Sequence, residues 1–180
     1  MITKEEFEME FAGHGTAYSS FMLIDVTEEQ VIDALNAISN PEYLIGSGSV
    51  IKSEPDCGNH TAVRFEIEGA LPDFLSDLTN ALHCKGFADM GSWYGDIWWE
   101  VSRDGEDDLS FVDAYWEEGY PEPYIPWGDE EKYDATFIIQ DKESGISFIS
   151  GEGCVDKDTV DRIQLFISEC GRDLDYTHIR

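Results

Sequence analysis

Hydrophobic and polar residues repeat with two different periods along this chain, and each period predicts a different kind of element. Apolar and acidic residues alternate over 7–11, which is typical of a half-buried strand. Turn residues at 55–59, at Asp104-Gly105 and at 142–145 predict hairpins. Apolar or alternating runs predict further strands over 18–24, 49–52, 62–68, 96–103, 109–117, 133–140 and 146–150.

Helical spacing of apolar residues occurs in three segments. In the first, Thr27 as N-cap and Gln30 three residues later form a capping box, and Val26 can pack against Val31. The second segment runs from Pro72 at its first position to Gly86 as the residue after its end, and the third runs over 156–171. The positions expected to be buried are Val31, Ile32, Leu35, Ile38, Leu75, Leu78, Ala81, Leu82, Val160, Ile163, Phe166 and Ile167.

The resulting element order is ββα, ββα and ββββα. Hairpins that alternate with helices predict an α+β fold, with antiparallel sheet and about three helices packed on one face. We expect one domain over residues 1–171 and a mobile tail over 172–180. The segment 119–131 has three prolines and no periodicity, which predicts an exposed loop with a functional role.

Charge changes this picture more than any motif does. The 180 residues include 39 Asp and Glu against 11 Lys and Arg, a formal net charge of −28, while 42% hydrophobic residues supply a core. Such a field repels nucleic acid and anionic membranes and attracts basic protein surfaces. Adaptation to high salt is an alternative explanation of the charge.

The acids concentrate between Asp104 and Asp134, where twelve acids stand against the single base Lys132. Aromatic residues interleave with them, and carboxylates with aromatic anchors suit a basic groove. The alternative is that these acids are only the solvated faces of strands. The predicted partner-binding residues are Asp104, Glu106, Asp107, Asp108, Glu117, Glu118, Glu122, Asp129, Glu130 and Glu131, with Trp98, Tyr124 and Trp127 as anchors.

Catalytic and cofactor motifs are missing from the sequence. It contains no glycine-rich phosphate loop, no HExxH and no GxSxG pattern. Cys57, His60, His83 and Cys84 offer four nitrogen and sulfur ligands for zinc, at a spacing unlike that of common zinc sites. We therefore expect no cofactor, no metal and no enzymatic activity, and reduced cysteines.

The whole profile of small size, strong acidity and no catalytic motif resembles DNA-mimic inhibitors of phages and mobile elements, such as anti-restriction and anti-CRISPR proteins. The resemblance is one of charge and size, and no motif carries it. It implies a stoichiometric inhibitor that occupies the basic nucleic-acid-binding groove of a target protein and does not itself bind nucleic acid. An immunity protein against a basic toxin such as a nuclease is the alternative, and a small enzyme or metal-binding domain comes third.

The location and assembly of the chain are expectations as well. The first residues show no basic segment followed by an apolar one, and no run approaches 18 apolar residues. We expect a cytoplasmic protein without membrane contact. It would be a monomer, or a homodimer through an uncharged face.

Overall fold

The computed structural model describes residues 18–38, 51–55, 57–68, 73–91, 97–116, 133–155 and 157–170. The chain divides into two compact units, the first ending at Asp108 and the second beginning at Leu109. The strand predicted over 7–11 and the tail over 172–180 lie outside the described residues. The single domain over 1–171 stays a prediction.

The first unit contains a six-stranded antiparallel sheet with strand order β2-β3-β1-β4-β5-β6 and two helices. Its elements in chain order are β1 (Tyr18–Ile24), α1 (Glu28–Ile38), β2 (Lys52–Ser53), β3 (Ala62–Glu68), α2 (Phe74–Leu82), β4 (Lys85–Gly91), β5 (Ile97–Arg103) and β6 (Glu106–Asp107).

The core of the first unit lies between the sheet and its two helices. Phe21 in β1 is opposite Phe65 in β3, and the two rings stack with centroids 5.1 Å apart. Val31 and Leu35 of α1 are fully buried in the same cluster, so the predicted apolar stripe of this helix is confirmed. One face of the sheet therefore carries both helices. The α+β class is confirmed, and the third predicted helix belongs to the second unit.

The start of α1 follows the predicted capping box. The side chain of Gln30 accepts a hydrogen bond from the Thr27 backbone N–H at 2.9 Å, and the Thr27 hydroxyl accepts one from the Gln30 N–H at 3.3 Å. These two bonds satisfy donors that have no partner inside the helix. A purely local sequence signal thus fixes where α1 begins.

The end of α2 differs from the prediction. The helix ends at Leu82, with His83 as C-cap at a φ of 51°, and Ala81 is exposed. Gly86 belongs instead to β4, a strand that the pattern did not predict. A Cβ atom at Gly86 would lie 2.6 Å from Thr79 Cγ2, so the glycine is needed where α2 packs directly on β4.

The hairpin around Asp104-Gly105 is shorter than predicted. β5 pairs with the two-residue strand β6, and not with the strand that follows Leu109. That later strand belongs to the second unit and pairs with a different partner. The turn prediction was therefore right, and the predicted pairing of 96–103 with 109–117 was wrong.

The second unit contains a three-stranded antiparallel sheet of order β7-β8-β9 and one helix. Val160, Ile163, Phe166 and Ile167 of that helix are buried, as predicted. The hairpin predicted over 142–145 joins its last two strands. The elements are a 3₁₀ turn (Leu109–Phe111), β7 (Val112–Trp116), β8 (Tyr133–Asp141), β9 (Ser147–Val155) and α3 (Lys157–Glu169).

Candidate functional site

Acidic side chains gather around β6, the last strand of the six-stranded sheet in the described residues. Asp77 lies one helical turn after Asp73, whose carbonyl accepts its backbone N–H at 2.9 Å. The other members lie on β5, on β6 and on the turn between them. We call this group the acidic edge, and its members are Asp73, Asp77, Glu100, Asp104, Glu106 and Asp107.

The turn of the acidic edge is a two-residue hairpin loop. Asp104 and Gly105 have φ values of 53° and 87°, and Arg103 is opposite Glu106. Positive φ at both central residues is the requirement of a type I′ turn, which Asp-Gly meets at low cost. The local sequence therefore determines the turn type.

Two hydrogen bonds donated by backbone N–H groups hold this turn against the rest of the first unit. The Asp104 N–H donates to the Cys84 carbonyl at 3.0 Å, and the Gly105 N–H donates to the Thr79 hydroxyl at 3.1 Å. The same hydroxyl lies 2.7 Å from that of Ser102, a buried contact. The turn of the acidic edge is thus fixed in place by hydrogen bonds to the rest of the first unit.

Two carboxylates of the acidic edge act on a third one. The pKa of Glu100 is raised, first by burial and then by the negative charges of Asp107 and Asp73. Burial together with the charges of Asp104 and Asp25 raises the pKa of the Cys84 thiol to about 12. Like charges at close range disfavour the ionised form, so a cation placed here would be attracted.

Basic partners compensate only part of the acid near this turn. Asp108 forms an ion pair with Arg103, with 3.1 Å between Oδ2 and Nε, and a carboxylate oxygen of Asp104 lies 3.9 Å from Nδ1 of His83. Glu106 and Asp107 are exposed on the edge strand. The two strand residues are therefore open to solvent, whereas Asp108 is paired within the first unit.

The predicted partner-binding residues divide into two groups. Asp104, Glu106, Asp107 and Asp108 lie together on one hairpin. Trp98 lies in β5 at the position paired with Met90. Outside the described residues lie Glu117, Glu118, Glu122, Tyr124, Trp127, Asp129, Glu130 and Glu131.

Sequence reasoning missed three members of the acidic edge. Asp73 and Asp77 are at the start of α2, where acidic residues are favoured by the helix dipole. Glu100 is the acidic residue in the otherwise largely apolar run of β5. Placing them beside β6 requires the sheet order, which local patterns do not contain.

The four cysteine and histidine candidates for zinc lie in two places. Cys57 and His60 are on the loop between β2 and β3, where the His60 ring bonds to Asp25 at 3.0 Å. His83 and Cys84 are at the end of α2. Within the described ranges, no group of three or more His, Cys, Asp or Glu side chains is placed to hold a metal ion.

Among the residues that the structure describes, no helix is long and apolar enough to cross a membrane.

Comparison with known proteins does not supply a relative. No family model, no curated protein and no solved structure matches this chain. Its function has to be argued from its own charge and geometry.

Proposed function

We propose that this protein is an acidic inhibitor that occupies the basic nucleic-acid-binding groove of a target protein, as DNA mimics do. One observation carries the proposal: a net charge of −28 includes a group of carboxylates on one edge of the sheet, where Asp107 and Asp73 oppose the ionisation of Glu100. Lys and Arg side chains that normally bind phosphates would bind these carboxylates. Inhibition would be stoichiometric and would need no turnover.

Repulsion within the acidic edge favours a cationic partner. Burial raises the pKa of Glu100 most, and the charges of Asp107 and Asp73 raise it further. A partner's ammonium or guanidinium groups would relieve that repulsion, and the long-range field would speed the encounter. Binding would accordingly weaken as salt screens the charges.

Rigidity of the turn supports the same function. A surface that is already in its bound shape loses little conformational entropy on association. The type I′ turn at Asp104 and Gly105 and its bonds to Cys84 and Thr79 provide that fixed shape. Charges on a mobile segment would have to be ordered first.

The competing explanation is that the charge only protects the sheet. Acidic residues on a short edge strand discourage pairing with another chain, and β6 has two residues that are both acidic. This explanation requires no partner. It predicts that replacing these acids changes aggregation and leaves every affinity unchanged.

The test immobilises the purified protein, captures partners from a bacterial lysate and elutes them across a salt gradient. We expect a nucleic-acid-binding protein that duplex DNA displaces. A second affinity measurement uses the variant Asp73→Asn, Glu100→Gln, Glu106→Gln, Asp107→Asn. We expect at least about a tenfold weaker binding and a shallower salt dependence, since several charge contacts are removed.

A matched variant separates the position of the charge from its amount. Its four replacements neutralise exposed acids on α1 and α3: Glu29→Gln, Asp33→Asn, Asp161→Asn and Glu169→Gln. Both variants have the same net charge, so equal losses of affinity would contradict a specific acidic edge. A single captured toxin that DNA does not displace would favour the immunity function.

A further inference from the structure

A second feature of the first unit is a pocket at the tip of the β2–β3 hairpin. Its volume is about 530 Å³, and its walls include Ser53, Glu54, Cys57, His60 and Thr61. Volumes of about 300–1,000 Å³ are typical of small-molecule sites. The hairpin tip therefore offers a concave space with a thiol, an imidazole, hydroxyls and a carboxylate in its wall.

The imidazole in this pocket is oriented by a carboxylate from another strand. Nδ1 of His60 lies 3.0 and 3.1 Å from the two carboxylate oxygens of Asp25, the residue after β1. An ionised carboxylate only accepts hydrogen bonds, so Nδ1 must be the donor. In the neutral ring, Nε2 then carries the lone pair of a general base.

Asp25 is itself fixed in an uncommon conformation. Its φ is 59°, and its backbone N–H donates to the Thr61 carbonyl at 2.6 Å. The Thr61 N–H in turn donates to the Asp25 side chain at 3.4 Å. Asp is among the non-glycine residues that adopt positive φ most readily, so these bonds fix Asp25 in this conformation at low cost. Two hydrogen bonds with the Thr61 backbone thus hold the residue whose carboxylate orients His60.

Cys57 and His60 are the first and fourth residues of one tight turn. The His60 N–H donates to the Cys57 carbonyl at 3.0 Å, and Gly58 between them has a φ of 64°. The first and fourth Cα atoms of such a turn lie within about 7 Å of each other. The thiol lies 3.5 Å from the Glu54 carbonyl oxygen and 3.7 Å from the Pro55 carbonyl oxygen, and it would turn toward His60 for reaction.

Charge compensation in the wall suits a thiol that must ionise. Glu54 is paired with Arg64 at 2.6 Å, and Asp25 is paired with His60. The Glu54 carboxylate therefore has a cationic partner and the Asp25 carboxylate has a hydrogen-bond donor, in contrast to the acidic edge. A nucleophile, a base and a group that orients the base are the three parts of a Cys–His–Asp catalytic site.

We propose that Cys57, His60 and Asp25 form a nucleophilic site that hydrolyses small uncharged or cationic acyl esters. His60 Nε2 takes the thiol proton while the Cys57 sulfur attacks the ester carbonyl carbon. A C–S bond forms, the C–O bond to the alcohol breaks, and the alcohol leaves with the proton from His60.

Water completes the cycle. His60 removes a proton from a water molecule whose oxygen attacks the thioester carbonyl, the C–S bond breaks, and the Cys57 sulfur recovers a proton. The products are a carboxylic acid and an alcohol, and no oxidant or reductant is needed. The net charge of −28 would repel anionic esters. This activity is separate from binding at the acidic edge.

The chain contains its own controls for thiol reactivity. Cys84 and Cys170 are buried, and burial is the main cause that raises their pKa values to about 12 and about 11. A thiol reacts as the thiolate, so these two should stay unmodified. Cys57 is only half-buried and opens to the pocket.

The experiment mixes the intact protein with p-nitrophenyl acetate and follows nitrophenol release together with the protein mass. We expect acetylation at Cys57, then steady turnover. Acetylation should be at least about 100-fold faster than for N-acetylcysteine at the same pH, the smallest usual gain from a general base. A rate equal to that of the free thiol would overturn the proposal, whatever the variants do.

Three variants assign the roles. Cys57→Ser should abolish acetylation, while His60→Gln should reduce the rate to that of N-acetylcysteine and leave a pH profile set by the thiol alone. Asp25→Asn should give an intermediate rate, because the base remains and its orientation is lost. Asp33→Asn on α1, outside the pocket, should keep the full rate. Unchanged kinetics in folded His60→Gln, checked by circular dichroism, would contradict the proposal.

Discussion

Two turns of the first unit carry acidic residues in opposite surroundings. At the acidic edge, Glu100 lies near Asp73 and Asp107, and its pKa is raised. At the hairpin tip, Asp25 is bonded to His60 and Glu54 to Arg64. The first arrangement leaves charge for a partner to neutralise, and the second uses charge to orient groups inside one site. The net charge of the chain therefore does not distinguish the two groups of carboxylates, whereas the neighbours of each carboxylate do.

The two turns also differ in packing. A Cβ atom at Gly105 would lie 2.7 Å from Asn80 Cβ, so the turn of the acidic edge is pressed against α2. A Cβ atom at Gly58 would meet no atom within 4 Å. The acidic edge is thus a supported surface. The hairpin tip borders open space, as entry of a small molecule requires.

The largest expected effect comes from replacing these two glycines. Gly105→Ala adds backbone strain at a φ of 87° and a clash with Asn80, and we expect a loss of about 2–4 kcal/mol in the free energy of unfolding. Gly58→Ala adds strain without a clash and should cost about 1–2 kcal/mol. Urea denaturation of both variants measures the difference.

The acidic edge gives this comparison a second readout. Because the Asp104-Gly105 turn positions Glu106 and Asp107, Gly105→Ala should also weaken binding of the captured partner, while Gly58→Ala should leave it unchanged. Equal losses of stability in the two variants would mean that the turn of the acidic edge is not held by its packing on α2.

A third carboxylate separates the effect of burial from that of neighbouring acids. Burial raises the pKa of Asp89 in β4 from 3.8 to about 6, against the opposing effects of the Trp99 side chain and the Arg64 charge. Because the folded pKa lies above the unfolded one, the folded state binds the proton more tightly. Stability is then lost as pH rises from about 4 through about 6.

Asp89→Asn tests the loss of stability that the buried Asp89 carboxylate causes as pH rises. The amide cannot ionise and its oxygen can still accept a hydrogen bond, so we expect about 1–3 kcal/mol of added stability at pH 7 and none near pH 4. The measurement is the difference in unfolding free energy between variant and parent from pH 4 to pH 8, which removes the general repulsion of the chain. A constant difference across this range would contradict the raised pKa.

Local signals account for the parts of the fold that the sequence predicts. The capping box of Thr27 and Gln30 and the Asp104-Gly105 turn each depend on residues within four positions, and both were predicted correctly. β4 was missed because its Lys, Gly, Ala and Asp residues have low strand propensity, and its pairing with β1 and β5 is what makes it a strand.

The sites depend on contacts that local patterns do not contain. Asp25 and His60 are 35 positions apart and meet because β1 pairs with β3. Asp73 and Glu100 approach because α2 packs beside β5. Charge counting therefore found the hairpin of the acidic edge. It missed the residues that the sheet and helix bring to that hairpin, as well as the carboxylate that orients His60.

The smallest effects test the electrostatic contrast itself. Glu54→Gln removes a half-buried ion pair with Arg64 and should lower the unfolding free energy by about 0.5–1 kcal/mol at pH 7. Glu100→Gln removes repulsion from Asp73 and Asp107 and should raise it, by at most about 0.5 kcal/mol because the group is partly exposed to solvent.

These two changes in unfolding free energy should have opposite signs. The signs, more than the magnitudes, decide whether the two sites differ as described. The gain in Glu100→Gln should vanish below the ordinary pKa of glutamate, since the parent is then protonated in both states. Raising the salt concentration to about 1 M, where charges are screened within about 3 Å, should shrink both effects. A loss of stability in Glu100→Gln at pH 7 would mean that this carboxylate is compensated in the fold. The acidic edge would then have less charge to offer a basic partner.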